Sequence, residues 1–325
     1  MIVALAVVAL TAAGVALYLG EPPEDTVAHP AGPSGHPVAA PLLAGLTSGP
    51  LAGGGHVGTP PDDQPPAAVP APRVLLPAPK PAVPASNRNK ASAAVGLLIQ
   101  GRADDAVSVA ALNTVTGASF SAGAASGMTE GSLMKLDLLE TLLLQHQDAG
   151  TWLDDDETSA ATAMIVNSDN DAGTFLYWRI GRAPALQAAN ARLGLTDTVL
   201  ASDYEWGLAT TNAADQLALL KDLAGGGPLS VASRTFALDL MQRVESDQAW
   251  GVSAAADPGS VIALKNGWLG LGRDDGLWLT NSVGVITVHG QPVLIAVMTQ
   301  HNPSFEAGVE LVESFATALL PAVTS

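Results

Sequence analysis

The 325-residue chain contains no cysteine. This absence excludes disulfide bonds, thiolate metal ligands, a cysteine nucleophile and lipidation of a cysteine within these residues. Histidine is scarce as well. Three of the six histidines (His29, His36 and His56) lie in a low-complexity region, and the others show no metal-ligand spacing. The sequence therefore indicates neither a metal nor a cofactor.

Positive charge is also sparse. Lysine and arginine total 14 against 31 aspartates and glutamates, which gives a formal net charge of −17 at pH 7. Binding to nucleic acid requires clustered lysines and arginines that contact phosphates, so no nucleic-acid partner is expected. We interpret the acidity as a solvated surface that keeps the protein soluble, and we expect a monomer.

The first 20 residues, MIVALAVVALTAAGVALYLG, are apolar apart from Thr11 and Tyr18. Their length matches the thickness of a bilayer core, which predicts a transmembrane segment or signal anchor at 1–20. The usual basic flank is missing, because the first lysine or arginine is Arg73. An uncleaved anchor and a cleaved signal peptide both stay open, and either predicts an extracytoplasmic protein at the cell surface or secreted from it.

Residues 21–90 are rich in proline, alanine and glycine and hold 17 of the 23 prolines. Proline at this density removes amide donors and fixes φ, so neither helix nor sheet propagates. This composition predicts a disordered tether over 21–90, and a folded domain over 91–325.

The folded part alternates between strand and helix patterns in a definite order. Strands are predicted in 106–123 with a turn at Thr114–Gly117, and again at 260–268, 277–290 and 291–300. Helices are predicted at 132–148, 157–168, 171–181, 184–193, 211–224 and 229–244, with a last one at 304–320. The order predicts an α/β (α+β) fold: an antiparallel sheet from both chain ends, flanked by helices, with an inserted all-helical subdomain.

The stretch GSLMKLDLLETLLL places Ser132 near a helix start and Lys135 one turn later. Residues i and i+3 share a helix face, so the two side chains project together. A lysine whose pKa is lowered by its apolar surroundings is able to remove the proton from a serine hydroxyl. The alternative is an N-cap serine beside a lysine that extends to solvent.

Two later segments carry polar residues in suggestive positions. Ser168-Asp169-Asn170 lies at a predicted helix junction, where all three residue types are also good helix caps. Lys265-Asn266-Gly267 lies on an otherwise apolar strand, where a lysine also serves to protect a sheet edge from aggregation.

With these segments the chain resembles the penicillin-recognising serine hydrolases, most closely the class A β-lactamases. The S-x-x-K, S-D-N and K-T-G motifs of that family appear in the same order, in the expected strand, helix and strand contexts. The resemblance covers about 91–320, including the opening hairpin VSVAALNTVTGASFSAG and the helical stretch that follows S-D-N.

The resemblance implies roles for the catalytic residues. Ser132 would attack the amide carbonyl and become acylated, and Lys135 would accept its proton, directly or through water. Ser168 would pass a proton to the leaving nitrogen. The backbone N–H groups of Ser132 and Trp268 would form the oxyanion hole.

The resemblance also implies residues that bind the substrate. Asn170 would hold Lys135 and the substrate's side-chain amide. Lys265, with Asn266 and Gly267, would hold the substrate carboxylate, and Lys265 would keep Lys135 neutral by like-charge repulsion.

The chain departs from the family pattern at several places. Asn266 replaces the usual hydroxyl residue, from which we expect altered selectivity. The interval from Ser132 to Ser168 is short. Strand 277–288 lacks the expected arginine, with Asn281 and Ser282 as neutral substitutes.

The loop that carries the family's deacylating glutamate is short as well. Glu205 is the only glutamate in 196–220, and Asp203 is a weaker candidate base. Both also fit solvated loop carboxylates. Without such a base the acyl-enzyme would be long-lived.

Three functions follow as hypotheses. The first is a β-lactam hydrolase acylated on Ser132. The second is a peptidoglycan D-alanyl-D-alanine peptidase, or penicillin-binding protein, that acts on stem peptides with the same residues. The third is a catalytically weak or inactive wall-binding or sensor module on the same scaffold.

Overall fold

A computed structural model describes residues 83–272 and 275–324 of the chain. The predicted membrane segment at 1–20 and the predicted tether as far as residue 82 lie outside these residues. Within the two described ranges, no helix combines the length and apolarity needed to cross a bilayer.

The first described element corrects the boundary of the predicted tether. Helix α1 spans Ala85–Ile99, so residues 85–90 are helical although they were assigned to the tether. The helix begins directly after Pro84, and its sequence contains no proline, so helical hydrogen bonding is not interrupted. Ala91 and Val95 are buried in the core shared with the C-terminal helix, which stabilises α1 by tertiary packing.

Five antiparallel strands form the main sheet in the order β2-β1-β7-β6-β5. Their bounds are β1 Val107–Asn113, β2 Ser119–Gly123, β5 Ala263–Leu271, β6 Leu277–Val288 and β7 Gln291–Asn302. Strands β3 (Met128–Thr129) and β4 (Thr210–Thr211) form a separate two-stranded ladder. Since β1 lies next to β7, both ends of the domain contribute to one sheet, which confirms the predicted fold class.

Both faces of the sheet are covered, as the side-chain alternation of β7 shows. Leu294, Ala296 and Met298 pack into a core with the helical subdomain, and the intervening valines and isoleucine pack toward α1 and α8 (Phe305–Val323). A period of two along a strand sends successive side chains to opposite faces. The sheet is therefore the central layer between two helical layers.

The helical subdomain is inserted between β3 and β5 and holds six helices. They are α2 Met134–Ala149, α3 Asp155–Val166, α4 Asn170–Ile180, α5 Arg182–Leu193, α6 Ala213–Lys221 and α7 Val231–Gln242. Helix α2 is buried over most of its length. The start of α2, the α3–α4 junction and strand β5 therefore meet where the subdomain adjoins the sheet.

Candidate active site

Ser132 lies on a tight turn between β3 and α2. Residues Gly131–Leu133 form one turn of 3₁₀ helix, and Ser132 is half-buried. Gly131 has φ +59°, and a Cβ there would lie 3.2 Å from Leu279 Cδ1. Glycine adopts this conformation without steric cost, so it permits the close turn that presents the serine.

The Lys135 ammonium nitrogen lies at the centre of a polar cluster. Its Nζ donates to Asn170 Oδ1 at 2.7 Å, to Ser132 Oγ at 3.0 Å and to Ser168 Oγ at 3.1 Å. It also donates to the Ser168 carbonyl oxygen. Once neutral, the amine has two N–H groups, which can donate to Asn170 Oδ1 and to one Ser168 oxygen while its lone pair accepts from Ser132.

Burial controls the charge of Lys135. The side chain is 0% exposed, and burial lowers its pKa to about 8, against the opposing attraction of Asp169. Removal of water penalises the charged form of a lysine. A usable fraction of the amine is therefore neutral near physiological pH.

Ser168 adopts a backbone conformation that is uncommon outside glycine. Its φ is +57°, in the short link between α3 and α4. Asp169 caps α4 by accepting from Ala172 N at 2.7 Å. The capping role is thus filled by Asp169, which leaves the Ser168 hydroxyl and the Asn170 amide oxygen for Lys135. Strain of this kind persists where surrounding structure holds it, often at functional sites.

Lys265 approaches the same serine from strand β5. Its Nζ donates to Ser168 Oγ at 3.0 Å and to its neighbour's carbonyl, Asn266 O, at 2.8 Å. The side chain is fully buried, and its pKa is well below the usual value because of burial first and repulsion from Lys135 second. Like-charge repulsion was expected to act on Lys135. For Lys135 the main cause of the lowered pKa is burial, whereas repulsion between the two lysines helps to lower the pKa of Lys265.

Gly267 brings strand β5 against the turn that carries the nucleophile. A Cβ at Gly267 would lie 2.6 Å from Glu130 O and 3.1 Å from Ser132 N. From the other side, a Cβ at Gly131 would lie 3.5 Å from Trp268 N. The two backbone N–H groups expected to bind an oxyanion therefore belong to segments in direct contact.

The Trp268 side chain lies in an aromatic cluster at the edge of the sheet. Its ring centroid is 5.9 Å from that of Trp250 and 6.1 Å from that of Phe305. Trp278 contacts Phe305 at 5.9 Å. Edge-to-face and tilted contacts of this kind stabilise a cluster beyond the area that it buries.

The structure corrects the expectation for Asn266. Its Nδ2 group donates to Gln248 O at 2.8 Å and to Trp250 O at 3.1 Å, and the residue is buried. Both amide hydrogens are used in these bonds, so none remains for a substrate carboxylate. Asn266 instead ties the 248–250 segment to the edge strand.

Asn281 and Ser282 are likewise structural. Asn281 Nδ2 donates to Thr129 O at 2.9 Å and to Glu130 O at 3.1 Å, and Ser282 Oγ accepts from Val252 N at 3.0 Å. Both residues are completely buried, so neither substitutes for a substrate-binding arginine. The amide of Asn281 fixes the backbone just before the nucleophile, a role that the sequence did not indicate.

The two loop carboxylates accept hydrogen bonds from residues outside the lysine cluster. Glu205 is exposed and accepts from Ser202 Oγ at 3.1 Å within its own turn, Asp203–Leu208. Asp203 accepts from Tyr177 Oη and from Arg182 Nη1, both at 2.7 Å. Asp203 therefore anchors the loop to the helical subdomain.

Trp206 is the loop side chain that covers Lys135. Lys135 Nζ lies 5.9 Å from the centroid of the indole ring, within the range of a cation–π contact. No sequence motif marks this residue. The loop's one tryptophan was the available signal, since a large aromatic side chain in a short loop requires packing partners.

Comparison with known proteins places the chain in context. A model of the β-lactamase enzyme family matches residues 154–323, a range that includes Ser168, Asn170 and Lys265 and begins after Ser132. A protein named as lipoprotein LppW, from Mycobacterium bovis and from Mycobacterium tuberculosis, is 29% identical over 191 residues. The match covers 55% of this chain and 59% of the relative's length.

Solved structures share the fold at low sequence identity. The TLA-1 extended-spectrum β-lactamase superposes with a TM-score of 0.64 at 16% identity, over 71% of this chain and 97% of the other. PBP-A gives 0.61 at 21% identity, over 73% and 96%. A β-lactamase from Xanthomonas campestris gives 0.61 at 19% identity, over 71% and 97%.

Proposed function

The chain belongs to the β-lactamase enzyme family, and on that premise we propose that it is a serine hydrolase acylated by β-lactams on Ser132. One observation carries the proposal. A half-buried serine hydroxyl lies 3.0 Å from the buried amine of Lys135, which in turn lies 3.1 Å from Ser168 Oγ. This row of three atoms provides a nucleophile, a base and a route for the proton.

The same row accounts for the acylation step. Ser132 Oγ attacks the lactam carbonyl carbon while its proton moves to Lys135 Nζ. The ammonium returns a proton through Ser168 Oγ to the lactam nitrogen as the C–N bond breaks. The negative charge on the carbonyl oxygen is stabilised by the backbone N–H groups of Ser132 and Trp268.

Lys265 supports this step electrostatically. Its Nζ bonds to Ser168 Oγ and so favours transfer of a proton from that hydroxyl. On a chain with a net charge of −17, a proton held by either of these two lysines gives the site a local positive charge, as an anionic substrate requires.

A D-alanyl-D-alanine peptidase is the second candidate, favoured by the position of the loop carboxylates. Glu205 is exposed and Asp203 is bound by Tyr177 and Arg182, so neither is placed to activate a water at Lys135. Slow release of an acyl group is the behaviour of a penicillin-binding protein, whose natural acyl donor is a peptidoglycan stem peptide.

We also propose an extracytoplasmic location, because the curated relative is named a lipoprotein. Within these 325 residues no cysteine is present to carry a lipid, and the apolar segment at 1–20 is the candidate for attachment to the membrane. Such a location would place the site next to the cell wall.

Labelling of the full chain with a fluorescent penicillin tests the proposal. Wild type should give a covalent band, Ser132→Ala should give none, and unlabelled benzylpenicillin should compete. An unlabelled wild type would contradict the proposal and leave the inactive wall-binding module. Glu205→Gln should label and release label like wild type.

Two substrates then separate the enzymatic candidates. Turnover of nitrocefin with little release of D-alanine from a pentapeptide identifies a β-lactamase. Release of D-alanine with little nitrocefin turnover identifies the peptidase. In both assays Ser132→Ala sets the background.

A further inference from the structure

The indole of Trp206 lies beside Lys135, the amine that serves as the base in the proposed reaction. Its ring centroid is 5.9 Å from Lys135 Nζ. A Cβ at Gly173 of α4 would lie 3.1 Å from Cη2 and Cζ2 of this ring and 3.4 Å from Lys135 Cε. The ring edge and the Lys135 stem therefore both pack against Gly173 of α4, and a residue without a side chain at 173 makes that packing possible.

Several contacts hold the ring in place. Trp206 Nε1 donates to Thr174 Oγ1 at 3.3 Å, and the ring stacks on Tyr177 with centroids 6.5 Å apart. The hydroxyl of Tyr177 bonds to Asp203, which also pairs with Arg182. The loop is thus fixed at Asp203, just before Trp206, and these contacts hold the indole beside Lys135.

Hydrolysis of an acyl-serine requires a water beside a base. The water oxygen bonds to the ester carbonyl carbon, its proton passes to the neutral Lys135 amine, and the C–Oγ bond breaks as Ser132 Oγ regains a proton. Lys135 is fully buried, with bonds to Ser132, Ser168 and Asn170 on one side and the indole against it. An indole has an N–H donor and no basic acceptor, so Trp206 can exclude water from Lys135 but cannot itself activate a water as the family's loop glutamate does.

We propose that Trp206 shields the acyl group on Ser132 from water and thereby sets the lifetime of the acyl-enzyme. The inference rests on the proposed acylation of Ser132. Exclusion of water is a recognised way to prevent hydrolysis of a reactive intermediate. On this proposal deacylation is the slow step of the reaction, and the side chain of Trp206 is what slows it.

The lifetime of the penicilloyl adduct on the full chain tests this assignment. Protein is labelled with benzylpenicillin, excess drug is removed, and intact mass is followed over time. Trp206→Ala should lose the adduct about tenfold faster or more, because water gains access to Lys135. Trp206→Phe, which keeps an aromatic ring at the position, should retain a long lifetime.

Tyr204→Ala is the matched control from the same loop. Tyr204 is 88% exposed and contacts Trp178, away from the lysine. Its adduct should decay like that of wild type, whereas general loosening of the loop would shorten both lifetimes and contradict a shield specific to Trp206.

The remaining outcomes are distinct. An adduct that decays at the wild-type rate in Trp206→Ala overturns the shield alone. A wild type that forms no adduct overturns the proposed function and the shield with it. Poor folding of Trp206→Ala would lower the amount of adduct formed, but it would not speed the decay of adduct already formed. Trp206→Leu repeats the test with an apolar side chain of intermediate size.

Discussion

Lys265 Nζ donates to the hydroxyl of Ser168 at 3.0 Å. This bond joins the returning strand of the sheet to the junction between two helices, at a serine that also accepts from Lys135 at 3.1 Å. The nitrogens of two buried lysines thus share one hydroxyl. Burial lowers the pKa of each lysine, so each amine loses its proton more readily than a solvated lysine does.

The rate of acylation should rise with pH until about 8. The neutral amine of Lys135 is the base, so below its pKa the rate should fall about tenfold per pH unit. Lys135→Arg should abolish acylation at every pH, because arginine does not deprotonate in proteins. Stopped-flow labelling between about pH 6 and pH 9 measures this profile.

Lys221→Arg serves as the control for that profile, since Lys221 is exposed at the end of α6. It should show the wild-type rate and pH dependence. A flat profile for wild type would mean that Lys135 is not the base.

Gly267→Ala should lower the acylation rate by about 100-fold, because a small displacement of the reacting groups has a large effect. The added Cβ would meet Glu130 O at 2.6 Å and force β5 away from the turn. Gly272→Ala, just beyond the end of β5, meets no atom within 4 Å and should acylate normally. Equal rates for the two variants would contradict the close approach of β5.

Asn266→Ala should lower the free energy of unfolding by about 1–3 kcal/mol, since it leaves the carbonyls of Gln248 and Trp250 without their donor. Preference between a substrate with a free carboxylate and its methyl ester should stay as in wild type. Urea unfolding and competition labelling measure the two effects. If Asn266→Ala loses the preference for the free carboxylate while its stability is unchanged, Asn266 binds the substrate and the structural role is contradicted.

Buried carboxyl groups on and next to α2 predict an unusual pH dependence of stability. Burial raises the pKa of Asp137 to about 7 and holds that of Glu130 and Glu140 well above the usual value. The folded state therefore binds more protons than the unfolded state, so stability falls as pH rises toward the folded-state pKa.

Asp137→Asn isolates one of these groups. Relative to wild type, its free energy of unfolding should increase by about 3 kcal/mol between about pH 5 and pH 8, because the variant has no carboxyl at position 137 to ionise in that range. Thermal or urea unfolding at both pH values provides the comparison. Asp104→Asn, at an exposed position, should show no such change, and an equal response in both variants would contradict the assignment.

The features of the fold and of the site that depend on local residue patterns could be predicted from the sequence. Period-two alternation located the strands, and the order of elements predicted a sheet from both ends with helices inserted. Ser132, Lys135, Ser168, Asn170 and Lys265 were selected by motif, and the structure brings all five together.

Other features depend on tertiary contacts that local pattern does not encode. Helix α1 is stabilised by packing on the C-terminal helix, and its start lay hidden at the end of a proline-rich region. The side chain of Asn266 turns to the backbone of residues 248–250, which approaches from elsewhere in the chain. The position of Trp206 depends on Gly173 and Tyr177, which lie on another element.

The most direct measurement is peptide mapping by mass spectrometry after the full chain reacts with benzylpenicillin. The account predicts a mass increase of one penicilloyl group on the peptide that contains Ser132, and no adduct on Ser132→Ala. A wild-type chain without an adduct at saturating drug, or an adduct on a different residue, would contradict the account.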